Sequence, residues 1–282
     1  MIRHWRDRIS RVLPDRPDLI VLPELCDRLA GRDDEPEYYL ARGNRVRDAL
    51  AELAAAHVCY LTYPAQRLDA DSRWRNSLQL IGRDGTILGT YDKNHLTIDE
   101  YEKRGTLYGT EAQVFELDFG QVACVICFDL NFDGLLATYV AAEPDLLLFS
   151  SAYHGSFRQQ QWAYSTGAYL PAAVYPPAPS AIISPVGHTI ANTTNYHDEI
   201  TARINLDRIV IHLDYHGKKL RDMKRKYGPE VYIHDPGLLG SVLLTSESDQ
   251  RTVADLVEEF ELESAAAYLG RALVHRSTHV EG

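Results

Sequence analysis

The sequence predicts an α/β fold with mixed β-sheets and helices on their outer faces. Three observations carry this expectation: helical and strand patterns alternate at the start, hairpin signals fill the middle, and short apolar runs of buried-strand type recur between helical stretches. The 282 residues, 45% hydrophobic, are enough to bury a core without disulfides or metals.

The elements follow in order. Ile2, Trp5, Ile9 and Val12 form the stripe of an amphipathic helix, which Pro14 and Pro17 stop. Asp18–Leu22 is a continuous apolar run closed by Pro23, a strand buried on both faces. A helix is expected over Tyr38–Ala56 with Leu40, Val46, Leu50 and Leu53 on one side, and a strand over His57–Tyr63. Ser77–Ile81 and Thr86–Tyr91 flank Arg83-Asp84-Gly85, and Gln113–Leu117 and Val122–Ile126 flank Asp118-Phe119-Gly120, so each pair reads as a hairpin. Then come a helix over Phe132–Ala142, a strand over Asp145–Phe149, a helix over Gln159–Tyr169, and a hairpin of Ala181–Ser184 with His188–Ala191. Lys218–Lys226 packs six basic residues into nine, read as a solvated helix face or local loop. Residues 253–273 carry a helical pattern. We expect one domain over residues 1–250 and a C-terminal helix or arm over 251–282.

Charge narrows the function. With 40 acidic against 29 basic residues the formal charge is −11, which repels nucleic-acid phosphates and anionic membranes, so neither is expected as a partner. No window resembles a membrane span, and a cytoplasmic location is expected. Four cysteines, Cys26, Cys59, Cys124 and Cys127, are too few for a disulfide scaffold and are expected as thiols. Cys124 and Cys127 are poorly spaced on a strand to share a metal, and no second pair completes a zinc site. Serine-hydrolase, phosphate-loop, zinc-protease and dinucleotide fingerprints are missing from the sequence. No cofactor is expected.

Three polar residues stand where strands are expected to end: Glu24, Lys93 and Cys127. Open α/β sheets place their sites at such ends, so a base, a cation and a thiol could converge. Singly, each has an ordinary reading: a surface carboxylate, a solvated charge, a buried small hydrophobe.

Jointly, Leu22-Pro23-Glu24-Leu25, Tyr91-Asp92-Lys93-Asn94-His95-Leu96 and Val125-Ile126-Cys127-Phe128-Asp129-Leu130 resemble, in order and spacing, the three catalytic blocks of the nitrilase superfamily of carbon–nitrogen hydrolases. The resemblance runs from about Ile9 to Leu206. It implies a four-layer α-β-β-α sandwich with two mixed sheets and a homodimer or higher homo-oligomer. It implies Cys127 as nucleophile, Glu24 as base, and Lys93 with the Phe128 N–H as oxyanion donors. A second glutamate orients substrate in such proteins; Glu100 fits its segment, with Glu102 as the rival. Tyr153, after the next strand, falls where a substrate-contacting wall is expected, and His154 reads as a loop histidine.

Cys127-Phe128-Asp129 looks more like amidase and carbamoyl-amidase members than nitrile hydrolysers, which leaves nitrile hydrolysis as the alternative. Asn131-Phe132-Asp133-Gly134 stands where relatives often carry Arg-Phe-Pro-Glu, so a guanidinium for a substrate carboxylate is missing there. Relatives normally begin with a strand before the first helix, and the chain is expected to lack it. The expected activity is thiol-dependent hydrolysis of a small amide or carbamoyl-amide with release of ammonia. A catalytically silent binding protein, or acyl transfer to an amine or lipid, are the readings from other classes.

Overall fold

A computed structural model describes residues 1–28 and 36–280. The chain forms two compact units, Met1–Ala202 and Arg203–Gly282.

The first unit begins with α1 (Ile2–Ser10), β1 (Leu19–Ile20), α2 (Pro36–Arg42), α3 (Arg45–His57), β2 (Tyr60–Leu68), β3 (Trp74–Ile81) and β4 (Ile87–Asp92). It continues with α4 (Ile98–Glu102), β5 (Val114–Leu117), β6 (Gly120–Ile126), α5 (Asp133–Ala142), β7 (Leu146–Ser151), α6 (Phe157–Thr166), β8 (Leu170–Val174), β9 (Ala181–Ile183) and β10 (Thr189–Asn192). Its strands form two sheets, β1-β2-β3-β4 and β10-β9-β8-β7-β6-β5. Both are mixed: β1 lies parallel to β2, and β7 parallel to β6 and β8, while the remaining pairs are antiparallel.

Period-two alternation explains the layering. On β2, Leu61, Tyr63 and Ala65 join Trp5 and Ile9 of α1 and Val46, Leu50 and Ala54 of α3 in one core. On β6 and β7, Ala123, Val125, Leu147 and Phe149 join Leu135, Leu136 and Tyr139 of α5 and Trp162 and Ala163 of α6 in another. The intervening Thr62, Cys124, Leu146, Leu148 and Ser150 therefore face the opposite way and are also buried. Ser150 Oγ donates to Leu22 O at 2.7 Å, a bond from one sheet to the strand end of the other. The unit is thus the expected α-β-β-α sandwich, and the strand ends carrying Glu24, Lys93 and Cys127 open toward one another.

The helix expected over 38–56 is broken. Gly43 takes φ +55° and separates α2 from α3, leaving Leu40 exposed while Val46 and Leu50 are buried. Strand β8 lies between the expected helix and the expected hairpin, where the sequence pattern indicates no element.

The second unit contains β11 (Arg208–His212), α7 (Gly217–Tyr227), β12 (Val231–His234), β13 (Ser241–Ser246), α8 (Val253–Glu259) and α9 (Ala265–His279). Its antiparallel sheet, β11-β13-β12, buries Ile211, Val231, Val242 and Leu244 with Leu220 and Met223 of α7 and Leu256 of α8. The basic run lies on α7, where Lys218 and Arg225 share Asp222, Lys219 pairs with Glu261, and Lys226 with Glu259. Among the described residues no helix is long and apolar enough to cross a membrane.

Candidate active site

Glu24 sits in the loop after β1, and that loop is pinned from several sides. Leu22 N donates to Thr62 Oγ1 (2.9 Å), Cys26 N to Pro64 O (2.9 Å), Trp5 Nε1 to Cys26 O (2.7 Å) and Tyr175 Oη to Leu25 O (2.9 Å). These bonds hold Leu25 at φ +48°, a left-handed conformation that a leucine adopts only under such constraint. Just beyond, the buried Asp27 carboxylate accepts from Arg42 Nη1 and Tyr63 Oη. Arg42 Nη2 also donates to Gln66 O at 2.6 Å, which ties α2 to β2.

Lys93 follows β4. Its backbone N donates to Asn76 O (2.8 Å), and its carbonyl accepts from Gly109 N (2.8 Å). Glycine is required at 109, because a Cβ there would lie 2.1 Å from Asp92 O.

Cys127 directly follows β6 and takes φ +47°, a left-handed turn that a cysteine adopts only under constraint. The turn is held by Asp129, which is fully buried. Its Oδ2 accepts from Ile126 N (3.1 Å) and Tyr91 Oη (2.8 Å), and its Oδ1 from His95 N (2.7 Å). One carboxylate therefore ties the cysteine block to the lysine block. The His95 ring, 3.1 Å from Asp129 Oδ1 through Nδ1, stacks on Phe132 at 3.8 Å.

These elements bring Glu24, Lys93 and Glu100 together. Lys93 Nζ donates to Glu24 Oε1 (2.8 Å) and to Glu100 Oε1 (3.1 Å) and Oε2 (3.0 Å). Asn76 Nδ2, on β3, donates to Glu24 Oε1 (2.8 Å) and Glu100 Oε1 (2.9 Å). Ala152 N, beyond β7, donates to Glu24 Oε2 at 3.2 Å. Glu100 is fixed further by Thr97, whose N and Oγ1 donate to its Oε2 (2.8 and 3.1 Å) in a capping box at the start of α4. Glu102 is exposed.

The charges are poised by burial and by one another. Burial disfavours the Lys93 ammonium, yet Glu24 and Glu100 outweigh it and hold Lys93 above the ordinary lysine value. Burial likewise opposes the Glu100 carboxylate, but Lys93, Asn76 and Thr97 keep it below the usual range. Burial pushes the Cys127 thiol up to about 12; Glu24 adds to the rise, while Lys93, the Ser151 hydroxyl and the Ala152 N–H pull the other way. The resting group at neutral pH is thus a thiol beside a carboxylate.

Around this centre, the Phe128 ring meets Phe132 edge-on at 5.3 Å. Tyr153 is half-buried, and its hydroxyl accepts from Asn131 Nδ2 at 2.9 Å. His154 Nδ1 accepts from Ser156 N within the same loop. The sequence reading missed Asn76, Asp129, Ser151 and Ala152. Among the described residues no group of three or more His, Cys, Asp or Glu could hold a metal ion, and all four cysteines are free.

Comparison with known proteins gives one consistent answer. The carbon–nitrogen hydrolase family model matches residues 1–210. Human omega-amidase NIT2 is 23% identical over 222 residues, covering 74% of this chain and 80% of that protein. Among solved structures, the carbon–nitrogen hydrolase of Helicobacter pylori G27 superposes with a TM-score of 0.65 at 17% identity, covering 80% of this chain and 87% of that one. A mutant of the amidase from Nesterenkonia sp. AN1, in which acrylamide has added to the active site cysteine, gives a TM-score of 0.57 at 19% identity, covering 67% and 80%.

Proposed function

Because this chain belongs to the carbon–nitrogen hydrolase family of the nitrilase superfamily, we propose that it hydrolyses a small amide or carbamoyl-amide through a Cys127 thioester and releases ammonia. The observation that carries this reading is the buried Glu24–Lys93–Glu100 cluster beside a thiol raised to about 12. Such a thiol does not ionise alone at neutral pH and needs an adjacent base.

In the first half-reaction Glu24 takes the thiol proton as Sγ bonds to the carbonyl carbon. The carbonyl electron pair moves to oxygen, where the Lys93 ammonium and the Phe128 N–H stabilise it. One such donor is worth roughly 3–4 kcal/mol. Collapse of this intermediate breaks the C–N bond, and the leaving nitrogen takes the proton from Glu24. In the second half-reaction Glu24 removes a proton from water, which attacks the thioester carbon. The C–S bond then breaks and the sulfur recovers its proton from Glu24. Glu100 keeps Lys93 charged and in place, and Tyr153 contacts substrate.

The names of the amidase relatives support an amide substrate over a nitrile. The test is an ammonia-release screen across amides, carbamoyl-amides and nitriles, with Cys127→Ala as control. Release from amides by the wild type alone supports the reading. Release at an undiminished rate by Cys127→Ala contradicts it.

A further inference from the structure

The two carboxylates beside Lys93 differ in how fully their oxygens are occupied. Both oxygens of Glu100 accept from Lys93, and Asn76 or Thr97 adds further donors to each. Glu24 is asymmetric. Its Oε1 accepts from Lys93 and Asn76 at 2.8 Å each, whereas its Oε2 has the Ala152 N–H at 3.2 Å. The amide of Asn76 spans both carboxylates through Nδ2, and this orientation is fixed by chemistry, since a flipped amide would set its oxygen against two carboxylate oxygens.

That double donation leaves Asn76 Oδ1 buried and without a hydrogen-bond partner among the described residues. A buried acceptor left unmade is a cost, and here it accompanies the two donations. Asn76 also fixes the lysine from its own backbone, as Lys93 N donates to Asn76 O. The residue is 1% exposed in the middle of the first sheet, away from solvent.

We propose that Asn76 is a positioning residue that saturates Oε1 of Glu24, so that Oε2, the oxygen facing Ala152, is the one that takes the Cys127 proton. This inference rests on Glu24 being the base. The groups that face Glu24 are Lys93 after β4, Glu100 on α4, Cys127 after β6 and the Tyr175 hydroxyl after β8. All of them remain when Asn76 is changed. What changes is a donor to the anionic form of Glu24, and its loss makes that form harder to keep.

The test follows carbamidomethylation of Cys127 by iodoacetamide, read by intact-protein mass from pH 4 to 9, in wild type and Asn76→Ala. The expected result is labelling slowed roughly tenfold at the acid end of the range in Asn76→Ala, with the deficit closing as pH rises. Asn76→Ser, whose single hydroxyl can donate to only one carboxylate, should fall between the two and serves if the alanine variant does not fold. Superimposable profiles, or one uniform drop across all pH values, overturn the assignment. Because iodoacetamide needs no turnover, failure here is separable from failure of the hydrolase reading, which the Cys127→Ala ammonia assay decides.

Discussion

Replacing Lys93 by methionine should destabilise the fold as well as stop turnover, and the charge balance of the site sets the size of the effect. The buried cluster holds Glu24, Glu100 and Lys93, and Lys93 lies 2.8 Å from one carboxylate and 3.0 Å from the other. At an effective dielectric of about 20, each contact is worth about 5–6 kcal/mol of attraction before desolvation is deducted. Removing the cation leaves two carboxylates uncompensated, for which about 3–5 kcal/mol of destabilisation is expected. In a unit of about 200 residues that corresponds to a melting temperature lower by roughly 6–20 °C. The second arm is the double variant Lys93→Met with Glu100→Gln, which restores the original net charge of the cluster. It should recover a large part of the lost stability while staying inactive. Thermal unfolding of the wild type, both single variants and the double variant gives the coupling directly. A Lys93→Met protein as stable as wild type, or a double variant less stable than Lys93→Met, would refute the charge-balance reasoning.

Other outcomes follow from the same geometry. Glu100 is held below the ordinary carboxylate range, so its contribution is present above the unfolded value near 4.3 and is lost as pH falls through the folded value. Urea midpoints below about pH 4.5 should therefore fall less steeply in Glu100→Gln than in wild type. Lys93 is raised, so its contribution is complete below about 10.4 and lost as pH rises through the folded value. Lys93→Met should flatten the alkaline limb of the same profile. Asp27→Asn breaks the buried pair with Arg42 under the Glu24 loop and should cost about 3–5 kcal/mol in denaturant unfolding, whereas an unchanged midpoint would remove that pair from the account. Asp129→Ala strips the acceptor shared by Ile126, Tyr91 and His95. Iodoacetamide labelling of Cys127 should slow at least tenfold in that variant, and labelling at the wild-type rate would show that the turn needs no such anchor.

The residues Glu24, Lys93 and Cys127 were legible through the resemblance of their three blocks, in order and spacing, to those of the nitrilase superfamily, since the strand ends alone left each with an ordinary reading. Asn76 and Asp129 were not. Each is one polar residue within a pattern that otherwise reads as strand or turn, and its partners lie up to 52 residues away in the chain. Asp129 stands within the cysteine block, yet nothing local gives either residue its role. The left-handed turns at Leu25 and Cys127 were equally hidden, since tertiary hydrogen bonds impose them on side chains that do not favour them. The break between α2 and α3 falls at Gly43-Asn44, a local stop that interrupts the longer apolar periodicity. Strand β8 carries Pro171 in its second position, and Pro weakens any strand pattern.

The central claim is that Cys127 carries the acyl group between the two half-reactions. Intact-protein mass spectrometry on samples quenched in acid during turnover of a small amide tests it most directly. The account predicts an adduct equal to the substrate acyl group, mapped to Cys127 and missing in Cys127→Ala. Ammonia release at the wild-type rate from Cys127→Ala, or an adduct on Cys26, Cys59 or Cys124 instead, would contradict it.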